Sequence, residues 1–138
     1  MALRGGCHCG NLQVVWKTVD YSVAPRACQC EYCRRHGAAY VSKAGTAFSA
    51  HIARPAQYRV AHHGSGVAQF HECSHCGELV FVTAQLNGDC YGALNAACLG
   101  NPLGFAEPVC VQLAAQTPEQ KALRWLATWC RPVRIRSG

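Results

Sequence analysis

Seven of the eleven cysteines in this chain stand in three tight groups, and the spacing within them leaves few chemistries open. Cys7-His8-Cys9-Gly10 is a C-x-C step followed by glycine. Cys73-Ser74-His75-Cys76-Gly77 is a C-x-x-C step followed by glycine. Between them, Cys28-Gln29-Cys30-Glu31-Tyr32-Cys33 runs C-x-C-x-x-C. Thiolates one or two residues apart can bind one ion from a single bend, and a following glycine lets the backbone turn its amides toward the sulfurs. A structural zinc takes four ligands in a tetrahedron. The first and last pairs together supply four thiolates, and one ion shared between them would tie distant stretches of chain, where a cross-link should stabilise most. The middle group supplies three, the donor number of a zinc site that keeps an exchangeable position. Two other readings stay open here: a fourth ligand from elsewhere, such as His36 or His71, or a reduced thiol cluster without metal.

In a short secreted chain so many cysteines would indicate a disulfide framework, but the count is odd. Met1-Ala2-Leu3-Arg4 leads into Gly5-Gly6-Cys7 without the apolar stretch of a secretion signal. A cytoplasmic protein is therefore expected, in which clustered cysteines hold metal. No apolar run approaches the roughly 18 residues needed to span a membrane. Half of the 138 residues are hydrophobic, which excludes a disordered chain and fits a single domain over 1–138. The net charge of +6 is concentrated locally only at Arg34-Arg35 and at Arg131, Arg134 and Arg136. Neither group is the dense stripe of a nucleic-acid footprint, so nucleic acid is not the expected partner.

Short β-branched and alternating runs predict strands at 11–16, 38–42, 57–60, 67–71, 79–83 and 109–113, with a turn at 62–66. Strands at this spacing indicate a mainly antiparallel β domain. One helix is signposted near the end. Thr117 can cap it, Pro118 suits its first position, Gln120 completes a capping box, and Leu123, Leu126 and Ala127 form its apolar face up to about Trp129. A shorter helical turn is expected at Glu31 to His36. Of the other cysteines, Cys110 is expected in the core, Cys90 and Cys98 as small buried hydrophobes, and Cys130 beside Trp129. His8 and His75 are expected exposed in the ligand loops, and His62 and His63 solvated in a turn.

Three segments, in order, resemble the glutathione-dependent formaldehyde-activating enzyme family, which includes the centromere protein V relatives. They are Gly5 to Gly10, Cys28-Gln29-Cys30-Glu31-Tyr32-Cys33-Arg34, and Phe70-His71-Glu72-Cys73-Ser74-His75-Cys76-Gly77, with Pro55-Ala56-Gln57-Tyr58 ahead of the third. The resemblance implies a β-tent of short antiparallel sheets around a structural zinc on Cys7, Cys9, Cys73 and Cys76. It implies a second, catalytic zinc on Cys28, Cys30 and Cys33, so two Zn²⁺ per chain. The implied activity is addition of glutathione to formaldehyde, giving S-hydroxymethylglutathione, a carbon-sulfur lyase assignment. Many members carry an acidic Leu-Asp-Asp segment where this chain has Leu94-Asn95-Ala96. The segment Cys28 to Gly37 and the capped C-terminal helix look more like the branch called aldehyde-activating proteins.

The function expected is thus thiol addition to formaldehyde or a small aldehyde, with glutathione or another small thiol as co-substrate. Arg34 and Arg35 are expected to hold the carboxylates of glutathione, because the guanidinium fork suits them. His36 or Tyr32 is expected to give a proton to the developing alkoxide. The partners expected are small thiol and aldehyde substrates, no membrane, and a homodimer left open. The rival reading is a non-catalytic two-zinc module that binds a protein or nucleic acid, as the centromere-associated relatives suggest.

Overall fold

The computed structural model describes residues 2–18, 22–62, 67–101, 104–111 and 116–138. In chain order the elements are β1 (Leu3–Gly6), β2 (Leu12–Lys17), β3 (Arg26–Cys28), α1 (Glu31–Arg35), β4 (Ala39–Val41), β5 (Ala47–Ile52) and β6 (Tyr58–His62). They continue with β7 (Gln69–Cys73), β8 (Leu79–Leu86), β9 (Asp89–Asn95), β10 (Leu99–Gly100), β11 (Val109–Val111), α2 (Pro118–Thr128) and β12 (Val133–Ser137). The strands form two sheets, in the orders β10-β1-β2-β5-β12 and β11-β3-β4-β9-β8-β7-β6. Pairing is mainly antiparallel, as expected. Among the described residues β12 on β5 and β11 on β3 run parallel.

Strict alternation sets the first sheet's inner face. Along β2, Leu12, Val14 and Trp16 are buried while Gln13 and Lys17 face out, and along β5 Phe48, Ala50 and Ile52 are buried. These side chains meet Val80, Phe81 and Leu94 of the second sheet, with Phe48 edge-on to Phe81 at 5.7 Å between centroids. β8 is covered on both faces. Its other side, through Leu79, Val82 and Ala84, joins a second apolar cluster with Tyr32, Cys33, Tyr40, Trp125 and Trp129.

α2 has the expected start: Thr117 Oγ1 accepts the Gln120 amide at 3.1 Å, and the Gln120 side chain accepts the Thr117 amide at 2.9 Å. Its packing face meets the expectation at Leu126, which is partly buried against the second cluster, and differs elsewhere. Leu123 is 68% exposed and Ala127 is exposed, whereas Trp125 and Trp129 are buried and stack at 4.7 Å. Two indoles four residues apart lie on one side of a helix and bury far more area than Leu123 and Ala127 could. Cys110 also departs from the expected core position. It is exposed, because β11 is an edge strand held on one side by β3. Cys98 and Cys130 are buried and Cys90 is half-buried. His8, His75 and His62 are exposed; His63 to Gly66, and the expected strand beyond Val111, lie outside the described residues.

The glycines at 5 and 6 serve close approach of strands. A Cβ on Gly5 would lie 1.9 Å from the carbonyl oxygen of Cys98, where β10 pairs with β1. Gly5→Ala is therefore expected to destabilise the fold by about 1–3 kcal/mol, the usual range for overpacking. Chemical denaturation checks this; an unchanged midpoint would refute the tight β1–β10 contact.

Candidate metal centres

The structure brings the first and last cysteine pairs together from opposite sheets. Cys7 and Cys9 sit in the turn between β1 and β2, Cys73 and Cys76 in the turn between β7 and β8. Their four sulfurs lie within 4.8 Å of one another. Cys7 Sγ is 3.7 Å from Cys9 Sγ, which is 3.6 Å from Cys73 Sγ. A tetrahedron with Zn–S bonds of about 2.3 Å has S···S edges of about 3.8 Å, so this donor set fits zinc. The two turns are alike: Gly10 and Gly77 both take φ +81°, and their amides donate to the carbonyls of Cys7 and Cys73 at 3.0 and 2.8 Å.

The surroundings act differently on the four thiols: burial pushes Cys7 up to about 12, while Cys73 is brought down. Leu12 N–H donates to Cys7 Sγ at 3.3 Å, and Arg54 Nη2 donates to Cys9 Sγ at 3.4 Å. Burial opposes charge on Cys73, yet the amides of Cys76 and His75 and the neighbouring thiols outweigh it and bring its pKa down to about 6. Buried Asn11 braces the turn. Its side chain accepts the Arg54 amide at 2.6 Å and donates to the carbonyl of Gln57 at 3.1 Å.

Cys28, Cys30 and Cys33 also converge, with sulfurs within 4.8 Å of one another. Cys28 ends β3, Cys30 caps α1 by accepting the Cys33 amide at 3.4 Å, and Cys33 lies inside that helix. The Cys33 thiol as hydrogen-bond donor holds Cys28 down at about 5 against the effect of its burial, while Cys33 itself is raised by that same bond and by burial. Tyr40 is buried, which pushes its pKa up, so its hydroxyl keeps its proton and donates to Cys33 Sγ at 3.1 Å. A soft three-sulfur set fits zinc as well.

Neither histidine weighed as a fourth ligand joins this group. His71 is buried, and burial lowers its pKa to about 4, so the ring is neutral. Tyr58 hydroxyl meets Nδ1 at 2.6 Å and Nε2 meets Thr83 Oγ1 at 2.7 Å, which engages both nitrogens. His36 Nε2 faces Glu72 Oε2 at 3.7 Å, and its ring lies against Tyr32 with centroids 4.7 Å apart.

Glu72 connects the two groups, and the sequence reading missed it. It is 3% exposed and stands immediately before Cys73. Its Oε1 accepts Arg59 Nε and Nη2 at 2.8 and 2.6 Å, and its Oε2 accepts the hydroxyl of Tyr32, the neighbour of Cys33. Burial works against the charge, but the bonds from Tyr32 and Arg59 outweigh it and hold the carboxyl below its ordinary range. The only signal in the chain was its place beside Cys73. Tyr40, the other missed residue, carries no local signal at all. Arg34 and Arg35 are exposed on α1, with Arg35 over the Tyr32 ring at 5.9 Å.

A sequence model described as glutathione-dependent formaldehyde-activating enzyme matches residues 2–115. The chain belongs to that family. Among solved structures it is similar to a crystal structure of a Rhodobacter sphaeroides protein, with 25% identity over 77% of this chain and 99% of that one, and a TM-score of 0.55. A comparison with proteins of curated function gave no match. Asn95, in the segment Leu94-Asn95-Ala96, is buried. It donates to the Leu79 carbonyl at 2.8 Å and accepts the amides of Ala39 and Ala97 at 3.4 and 3.3 Å, bonds that join β4, β8 and the turn after β9.

Cysteine-to-serine variants separate the two centres. Cys73→Ser is expected to unfold the chain or collapse its yield, because binding energy at a closed site is folding energy. Cys30→Ser is expected to remain folded and lose one equivalent of zinc. Circular dichroism and metal content per chain read both; equal unfolding in the two variants would make both centres structural.

Proposed function

We propose that the chain catalyses addition of a small thiol, with glutathione as the co-substrate the family's description implies, to formaldehyde or a small aldehyde. The observation that carries this reading is the three-sulfur group of Cys28, Cys30 and Cys33, to which no fourth protein ligand is added among the described residues. A zinc ion held there would supply an exchangeable position at which an incoming thiol is bound as its thiolate. The closed group of Cys7, Cys9, Cys73 and Cys76 would hold the structural ion.

The chain's own residues then do the rest. Tyr40 orients Cys33 through its hydroxyl, and the Cys30 side chain is held by the α1 amide it caps. In the reaction the substrate sulfur attacks the carbonyl carbon, a C–S bond forms, and the C=O π pair becomes an alkoxide that must gain a proton. Tyr32 is a poor source. Burial and the hydrogen bond to Glu72 raise its pKa, and its proton is committed to that carboxylate. His36 is the better donor. It is part-exposed, can exchange protons with water, and its Nε2 lies 3.7 Å from Glu72 Oε2. Tyr32 and Glu72 would position it.

His36→Ala is expected to lower kcat by about 10²-fold, the lower end for loss of a general acid, with little change in thiol affinity. The rate is read above the uncatalysed reaction by exchange NMR of formaldehyde and glutathione. The reading itself is tested by X-ray absorption of the two-zinc protein. Added glutathione should raise the sulfur count at the second zinc, and S-methylglutathione should not. A shell that already holds four protein ligands, unchanged by glutathione, would falsify the enzymatic reading and favour a binding module.

A further inference from the structure

The outer face of the five-stranded sheet carries charge that neither metal centre uses. Alternation along each strand sorts the side chains. On β2, Leu12, Val14 and Trp16 turn inward, so Gln13, Val15 and Lys17 turn outward. On β5, Ala47, Ser49 and His51 turn outward against buried Phe48, Ala50 and Ile52. The register then places the neighbours. Arg4 of β1 stands opposite Val15, Val15 opposite Ser49, and Ser49 opposite Arg134 of β12. In the next row Gln13 stands opposite His51, and His51 opposite Arg136. Arg4, Lys17, Arg134 and Arg136 therefore share one face, and all four are exposed.

Cations adjacent in the sequence make no nucleic-acid footprint, but strand pairing assembles one from the two ends of the chain. Arg4 and Lys17 are diagonal neighbours across β1 and β2, at about 7–8 Å. Arg134 and Arg136 follow one another along β12 at about 6.6 Å. From β1 to β12 is three strand spacings, about 14 Å. The face thus has a cationic row at each side, with the polar side chains of Gln13, Ser49 and His51 between them.

No anion in the sheet answers these cations. None of its five strands contains an aspartate or a glutamate. Among the described residues none of the four cations has a carboxylate partner. No strand or helix of the chain carries two acidic residues, so a second copy presents no matching acidic row. The face has no aromatic side chain on which a base could stack, which argues against single-stranded nucleic acid. Nor does it offer lipid an apolar anchor: the exposed large apolar residues are Val67, Val109, Leu123 and Ile135, and Ile135 alternates to the other side of β12. Two cationic rows, set apart on the scale of a major groove of about 12 Å, suit the paired phosphate ridges of a duplex.

We propose that the outer face of the five-stranded sheet is a docking surface for the phosphate backbone of double-stranded nucleic acid. Its contacts go to phosphates, so it binds without sequence preference. It is independent of the thiol-addition reading. The face lies on the far side of both sheets from the cluster that contains Cys33.

The test titrates the zinc-loaded full chain into a short fluorescent DNA duplex and follows anisotropy across salt. Four phosphate contacts predict a slope of log affinity on log salt of about −3.6, or roughly 100-fold between about 50 and 200 mM. Arg134→Gln with Arg136→Gln should reduce the magnitude of that slope by about two. Arg4→Gln with Lys17→Gln should do the same, and serves if the first pair folds poorly. Arg34→Gln with Arg35→Gln, on α1, should leave the slope unchanged. Absence of duplex binding at low salt would overturn the proposal. So would an equal loss in the α1 variant, which would make the attraction a property of net charge and not of this face. Tighter binding of a polyaspartate peptide or of phosphatidylserine vesicles than of the duplex would assign the face to an acidic protein or a membrane, and the proposal would fall.

Discussion

The meeting of Cys7 and Cys9 with Cys73 and Cys76 is the constraint on which the rest of the molecule depends. One pair hangs from the five-stranded sheet and the other from the seven-stranded sheet, so the group pins the two layers at one end. That pin also sets the position of Glu72, the residue before Cys73. A buried carboxylate cannot drift from its donors without leaving an uncompensated charge, and so Glu72 fixes Tyr32 as firmly as it is fixed itself. Tyr32 adjoins Cys33. The geometry of the three-cysteine group is therefore inherited from the four-cysteine group through one carboxylate and one phenol.

Four sulfurs and three sulfurs are different objects, although both groups are partly buried. In the first group every protein donor is a cysteine and the count is complete. In the second the Tyr40 hydroxyl lies 3.1 Å from Cys33 Sγ, a proton donor to it and not a competitor for an ion. His71, close in sequence to Cys73, spends both ring nitrogens between Tyr58 and Thr83. Among the described residues, local hydrogen bonding, and not the number of nearby histidines, accounts for a second group of three.

What could be read in the chain followed the range of the interactions. The cysteine groups, the helical turn around Cys33 and the capping box at Thr117 depend on residues a few positions apart, so their spacing carries them. β1, β3, β9 and β10 were missed, and so were β5 and β12. The pairing of β5 with β12 is non-local and parallel, and β12 has only Val133 buried, so it shows little alternation. Cys110 looked like core because its neighbours are valines, but burial belongs to a strand's place in the sheet and β11 is an edge. The Trp125 and Trp129 stack was hidden behind Leu123, which satisfied a helical period without a surface to meet. Glu72 needed the whole fold, because its partners come from two other elements, Arg59 of β6, and Tyr32 and His36 of α1 and its end.

The stretch that matches the family ends at residue 115, yet part of the wall beside Cys28 and Cys33 comes from beyond it, through Trp125 of α2 and Trp129 at its end. Every cysteine of the two groups lies within the matched stretch. The metal-holding frame and part of its surroundings are thus encoded in separate portions of the chain. Exchange of the segment after residue 115 would rebuild that wall and leave all seven sulfurs untouched, so in such an architecture what is admitted can diverge while what is done to it stays the same.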